Sequence, residues 1–264
     1  MQRNVAIRVI SAYRTVSTDA ALLLARIPPT HIHAAYYRRT FIRANDSKRD
    51  NTWNPLVEKE IKNGELVLMR RQWKLYLQRR DAAGRCTLEA ILPYFEQWLD
   101  RSHGVLTFYI TQMLTGHGCF ATYLYRIGKA NTAICTFCKK DEDSPEHTIQ
   151  VCEQWTEERA LLVSVIGNDL SLRSIIGKVL VSEENWEAFH TFAEKVMLSK
   201  ENDERARERA AEASDSGSAH ANIHITHTPD RGCPKRKWTS SPTDTTPEAD
   251  LILTREPLGS LVHT

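Results

Sequence analysis

The stretch CTFCKKDEDSPEHTIQVC, Cys135 to Cys152, holds three of the chain's six cysteines and one histidine within eighteen residues. Written as a pattern it is C-x2-C-x8-H-x4-C, on Cys135, Cys138, His147 and Cys152. Zinc takes four N or S donors at the corners of a tetrahedron. A C-x2-C pair can bend round one ion because the two intervening residues make a tight turn. The loop KKDEDSPE is polar and carries Pro145, so it is expected to bulge away from the metal. His147 and Cys152 return along a short ordered segment, with Ile149 and Val151 expected to pack underneath. Cysteine is often buried for its size alone, but Cys135 and Cys138 stand beside Lys139, Lys140 and a run of acidic or polar positions, a poor core. Four protein ligands leave no open coordination position, so the site reads as structural zinc.

Outward from this cluster the chain reads as helix almost throughout, with only weak strand signals and no repeat of fixed period. STDAALLLARIPP offers Ser17 or Thr18 as an N-cap and Pro28-Pro29 as a stop. HIHAAYYRRTFIRAND continues as a second helix. Leu66, Met69, Trp73 and Leu77 recur at three-to-four spacing in a third, between Leu56 and Arg80, with Gly64 as a candidate break. LEAILPYFEQWLD and GVLTFYITQMLTG form an apolar pair around a turn at Ser102–Gly104. WTEERALLVSVIG and NWEAFHTFAEKVMLS follow the cluster as amphipathic helices, and KENDERARERAAEA prolongs the last of them into solvent. The predicted architecture is mainly α: an irregular helical bundle with an inserted CCHC zinc knuckle and a disordered C-terminal tail. Its divisions fall at 1–50 for thumb-like or connector helices, 51–130 for a basic helical region, 131–155 for the knuckle, 156–213 for C-terminal helices and 214–264 for the tail.

Thirty-five Lys and Arg against thirty-three Asp and Glu leave the chain nearly neutral, so net charge alone excludes little. The distribution says more: Arg38 to Arg80 holds twelve basic residues and five acidic ones. Aromatics interleave with these, so the region reads equally as a nucleic-acid surface or as amphipathic packing. No apolar run is long enough to span a membrane. The first residues lack a signal-peptide pattern, which points to a reducing compartment where clustered cysteines bind metal more often than they pair. In the tail, Cys233-Pro-Lys-Arg-Lys-Trp238 reads as a nuclear-import or nucleic-acid patch, or as a solvated charge cluster.

The flanks of the cluster carry a resemblance. LTFYITQMLTGHGCFATYLYRIG (Leu106–Gly128), then the knuckle, then CEQWTEER (Cys152–Arg159), resembles the C-terminal region of non-LTR (LINE-like) retrotransposon reverse transcriptases, most of all the insect elements that insert into ribosomal DNA. RVISAYRTVSTDAALLLARIPP (Arg8–Pro29) looks like the segment after the polymerase core in the same polyproteins. The resemblance implies an RNA-directed DNA polymerase with an endonuclease, working by target-primed reverse transcription, whose C-terminal Cys-His motif handles nucleic acid. It implies nuclear localisation, or cytoplasmic for a non-functional fragment, and RNA or DNA partners: element RNA or target DNA.

The chain departs from that pattern in having no Asp-Asp pair for the two metal ions of a polymerase. The expectation is a fragment or degenerate copy that neither polymerises nor cuts. Within it Phe137, Lys139 and Lys140 at the knuckle, with Arg70, Arg71 and Lys74 on the basic helix, are the candidate nucleic-acid contacts: aromatics stack on unpaired bases and cations meet phosphates. The alternative is a zinc-stabilised helical scaffold that binds protein through the helix at 183–213. Gly116-His117-Gly118-Cys119 offers a Cys-His pair, but neighbours in sequence seldom face each other as nucleophile and base. The glycines instead allow a tight turn, with His117 satisfying a local hydrogen bond.

Overall fold

The computed structural model describes residues 1–217; the rest of the expected disordered tail, and the basic knot at 233–238, lie outside the described residues. Within these, eleven α-helices follow one another: α1 Gln2–Val9, α2 Thr18–Leu24, α3 Thr30–Arg49, α4 Pro55–Leu77, α5 Arg85–Ile91, α6 Phe95–Asp100, α7 Phe108–Thr115, α8 Ala121–Arg126, α9 Thr156–Ile166, α10 Leu172–Val179 and α11 Glu183–Gly217. The described residues contain no β-strand; an isolated antiparallel bridge joins Ile134 to Glu142. The mainly α reading holds. No described helix is long and apolar enough to cross a membrane.

Local chemistry explains most starts and stops. Ser17 caps α2 by accepting from the Ala20 amide, and Asn54 caps α4 ahead of Pro55 in the first turn. Thr107 and Ser171 do the same for α7 and α10. Gly64 does not interrupt α4: nothing crowds it, and the flanking residues continue the helix through it. LEAILPYFEQWLD is not one helix. Pro93 lacks the amide to continue α5, and a 3₁₀ turn at Leu92–Tyr94 passes the chain on to α6. α10 adds a helix to those read from the sequence.

The core forms where these short helices meet α4 and α11. Trp73 of α4 lies edge-on to Phe95 of α6 at 5.4 Å. The buried Trp98 donates its indole N–H to the Leu23 carbonyl at 3.0 Å. Along α11, Phe189, Phe192, Ala193, Val196 and Met197 are buried at helical spacing, and that stripe packs on α7, α9 and α10. α3 and α4 pack together as a hairpin. Between them Glu65 takes the Arg39 Nε–H at 2.5 Å and Arg43 Nη1–H at 3.1 Å.

One expectation about α11 is corrected. The charged stretch after Ser199 does prolong the helix, yet its first turns do not enter solvent: Lys200, Glu201 and Glu204 are buried. The reason lies in the cysteine cluster, against which this part of α11 is laid.

Candidate metal centre

Cys135, Cys138, His147 and Cys152 converge. One donor atom from each lies within 4.8 Å of all the others. Cys135 Sγ and Cys152 Sγ are 3.8 Å apart, and Cys138 Sγ stands 3.3 Å from His147 Nε2. A tetrahedral zinc with bonds of about 2.3 Å to sulfur and about 2.0 Å to nitrogen would set S···S edges near ~3.8 Å and S···N edges near ~3.5 Å. Those two separations match such edges, and the four donors could close round an ion of this kind. The sulfurs are too far apart for a disulfide, whose S–S bond is about 2.05 Å, and these cysteines are free.

The backbone builds this convergence in two pieces. Residues 133–143 make a small hairpin, in which the Cys135 amide donates to the Asp141 carbonyl and the Asp143 amide to the Ala133 carbonyl, at 2.8 and 2.9 Å. Inside it the Lys139 amide donates to the Cys135 carbonyl at 2.9 Å, with Lys139 in a left-handed conformation at φ 57°. The second piece is a single π-helical turn, His147–Val151, which carries His147 and delivers Cys152 at its end. Arg159 of α9 holds that turn: its Nε–H donates to the Ile149 carbonyl at 2.8 Å and its Nη2–H to the Cys152 carbonyl at 2.5 Å.

Two expectations about this segment need correction. Ile149 is buried under the turn, but Val151 faces outward and is 59% exposed, because the wider π turn changes which side chains face inward. The loop between Cys138 and His147 does not bulge away throughout. Asp143 is buried and anchors it. Asp143 Oδ1 accepts from Lys200 Nζ at 2.5 Å and Thr148 Oγ1 at 3.1 Å, Oδ2 from the Ala121 amide at 2.9 Å, and the Asp143 carbonyl from Thr122 Oγ1 at 2.8 Å. Sequence spacing could not mark this carboxylate, since apart from Thr148 its partners come from α8 and α11. The DED run gave no sign of which acid turns inward.

Burial and neighbouring groups act on the sulfurs in opposite directions. Burial, with Cys135 and Cys138 nearby, pushes the Cys152 thiol up to about 12. Burial also raises Cys138, but amide donors from Lys140 and Asp141, with hydrogen bonds from Cys135 and Cys152, leave that thiol below its ordinary value. Three sulfurs in one pocket resist joint ionisation without a positive partner, and a divalent ion removes that conflict by binding the thiolates.

The other candidates fall in different places. Phe137 is half-buried, its ring 5.0 Å from that of Trp155 and 5.5 Å from Lys200 Nζ. Lys139 is exposed. Lys140 is exposed and pairs with Glu153 at 2.6 Å. Arg70 is bound to Asp100 and Glu96 of α6 at 2.5 and 3.0 Å. Arg71 is exposed, while Lys74 is half-buried with its ammonium 6.0 Å from the Phe95 ring. His117 Nδ1–H donates to the Thr115 carbonyl at 2.8 Å, the local hydrogen bond expected of it.

Fold and site together define a helical protein with a closed Cys3His centre able to hold a metal ion, consistent with zinc. The chain is similar to the Retrovirus-related Pol polyprotein from type-1 retrotransposable element R1 4 of Nasonia vitripennis, 24% identical over 227 residues. The match covers 82% of this chain and 55% of the relative, so the chain spans about half the length of the curated protein it matches. That similarity supports a region derived from a non-LTR retrotransposon of the insect R1 type, as the residues around the cluster suggest. No family model matches the chain, and no solved structure does.

Proposed function

We propose that the described helices and the Cys3His centre, loaded with zinc, form a non-catalytic nucleic-acid-binding part of a retrotransposon RNA-directed DNA polymerase. In the full-length protein it would serve target-primed reverse transcription in the nucleus. The observation that carries this reading is the convergence of four donor atoms within 4.8 Å in a chain similar to a retrotransposon Pol polyprotein. A closed metal centre fixes a polar hairpin that has little core of its own. That hairpin presents Lys139 and Lys140 outward. The Lys140–Glu153 pair is exposed on both sides, so a phosphate can displace it at little cost. Phe137 faces Trp155, which leaves charge and not stacking as the knuckle's main contribution.

The test uses the whole chain, zinc-loaded, with single-stranded RNA and DNA oligonucleotides. Binding should weaken steeply with salt, and Lys139→Glu with Lys140→Glu should reduce both affinity and the salt slope. A folded, zinc-loaded sample that binds neither strand would remove the proposal. One observation favours a second reading, a metal-stabilised scaffold for protein. A groove of about 470 Å³ between α9 and α11 is lined by Leu161 and Val165 and flanked by Glu184 and Glu187, with Leu161 67% exposed. That reading gains if Leu161→Asp abolishes capture of a partner protein while strand binding is absent.

A further inference from the structure

A cleft of about 460 Å³ is lined by four separated segments, 15–20, 84–87, 115–117 and 123–127. Its size falls in the range of small-molecule sites, about 300–1,000 Å³. The metal centre uses none of these residues. Their polar groups form a connected wall. Thr15 Oγ1 and Tyr123 OH share a hydrogen bond of 2.7 Å. His117 is committed through Nδ1–H to the Thr115 carbonyl, so in the neutral ring Nε2 is an acceptor, 3.5 Å from Arg126 Nη2. Burial holds the His117 imidazole below its ordinary value, and the Arg126 charge adds to that. The His117 and Tyr123 rings lie 4.9 Å apart, and the Arg126 guanidinium stands 5.3 Å from the Tyr123 ring.

Arg126 sits at this cleft with no carboxylate partner among the described residues; its contacts are a neutral imidazole and an aromatic face. Arg85, also in the lining, is already paired with Glu89 at 2.8 Å. Glu146 acts electrostatically on Cys86 of the same lining, so the surroundings of Cys86 are less suited to an anion.

We infer that this cleft binds a nucleotide, its phosphate on the Arg126 guanidinium and its base or sugar against the His117–Tyr123 wall. A planar guanidinium matches phosphate oxygens in pairs. The remaining lining, Val16, Ala20 and Ile127, is apolar, which suits the face of a heterocycle. The Thr15–Tyr123 hydroxyl pair can both donate and accept toward a sugar or base edge. The choice of a nucleotide over other phosphorylated ring compounds rests on the nucleic-acid reading above. The shared chemistry is a phosphorylated nucleoside, free or as one unit of a strand.

Calorimetry on the whole zinc-loaded chain tests this, with uridine and adenosine monophosphates, the matching nucleosides and an eight-nucleotide oligouridylate. A monophosphate should bind at least about tenfold more tightly than its nucleoside, since a charge-assisted phosphate contact is lost. Arg126→Gln, at an exposed side chain, should cancel that difference with the melting temperature unchanged, and Arg126→Lys should restore part of it. Lys139→Glu with Lys140→Glu should leave monophosphate binding unaltered. If the cleft receives one unit of a strand, Arg126→Gln also weakens the oligonucleotide; if it takes free nucleotides, only the monophosphate arm responds. Equal affinity for nucleotide and nucleoside, or no effect of Arg126→Gln in either arm, overturns the inference. Strand binding that depends on Lys139 and Lys140 alone would then leave the function proposed for the knuckle standing, and loss of that dependence with the Arg126 effect intact would do the reverse.

Discussion

At the residue scale the most consequential contact is Asp143 with Lys200, both nearly inaccessible to water at 4% and 1% side-chain exposure. Removing one partner strands a buried charge, which costs about 3–5 kcal/mol, whereas neutralising both is far milder. Asp143→Ala should therefore lower the urea midpoint steeply. Asp143→Asn with Lys200→Met should recover most of the loss, and failure to recover it would show that the ion pair is not the source. Zinc content separates this effect from ligation: His147→Ala should reduce bound zinc well below one equivalent, and His147→Cys should retain it, because a thiolate can occupy the same corner. The four converging donors were legible from spacing. Asp143 and Lys200 were not, since the pair lies 57 positions apart in sequence, and no local pattern singles out Arg159 from the other cations.

Helices and their pairings set the next scale. The α3–α4 hairpin is tied by Glu65, whose carboxyl is held below its usual value by the hydrogen bond from Arg39, against burial and with help from Arg43. A depressed folded pKa means its contribution is complete above the unfolded value, about 4.3, and disappears as pH falls through the lower folded value. Glu65→Gln should thus destabilise the chain at pH 7, with the gap to the parent protein closing below about pH 4. Denaturant titrations at a series of pH values read this directly. In α4, Gly64 has open space around it, its nearest neighbour being Arg43 Nη1 at 3.9 Å. Gly64→Ala should raise stability by about 0.5–1 kcal/mol. Gly118 is the opposite case: with φ at 138° and Gln112 Oε1 only 1.8 Å from where a Cβ would sit, alanine there should disrupt the turn between α7 and α8. The turn glycines could be read in the sequence, and so could the periodic stripe on α4. The division at Pro93 was visible only as a proline, because periodicity on both sides suggests one continuous helix.

For the described molecule as a whole, the Cys3His cluster and the bundle share one core. Cys135, Ile149, Cys152 and Trp155 belong to the same buried cluster as Phe120, Phe189 and Val196. Metal binding should consequently register in global unfolding and not just in the knuckle. Free zinc at a thousandfold its Kd adds about 4 kcal/mol, which for a chain of this size raises Tm by about 8–16 °C. A chelator should reverse the shift in a scanning melt followed by tryptophan fluorescence, as Trp155 lies beside Phe137 of the hairpin. An unchanged melt after confirmed metal removal would show the centre to be energetically separate from the bundle.

What the sequence determined by itself was the helical class, the four Cys and His side chains that converge, and the likeness to a retrotransposon polyprotein, since apolar period, Cys-His spacing and motif order are local properties of the chain. Only the tertiary structure decided that α11 buries Lys200 against the knuckle, that Phe137 turns toward Trp155, and that Arg126 stands at a cleft with no carboxylate partner among the described residues. Burial and ion pairing depend on which distant segments meet, and long-range packing alone brings them together.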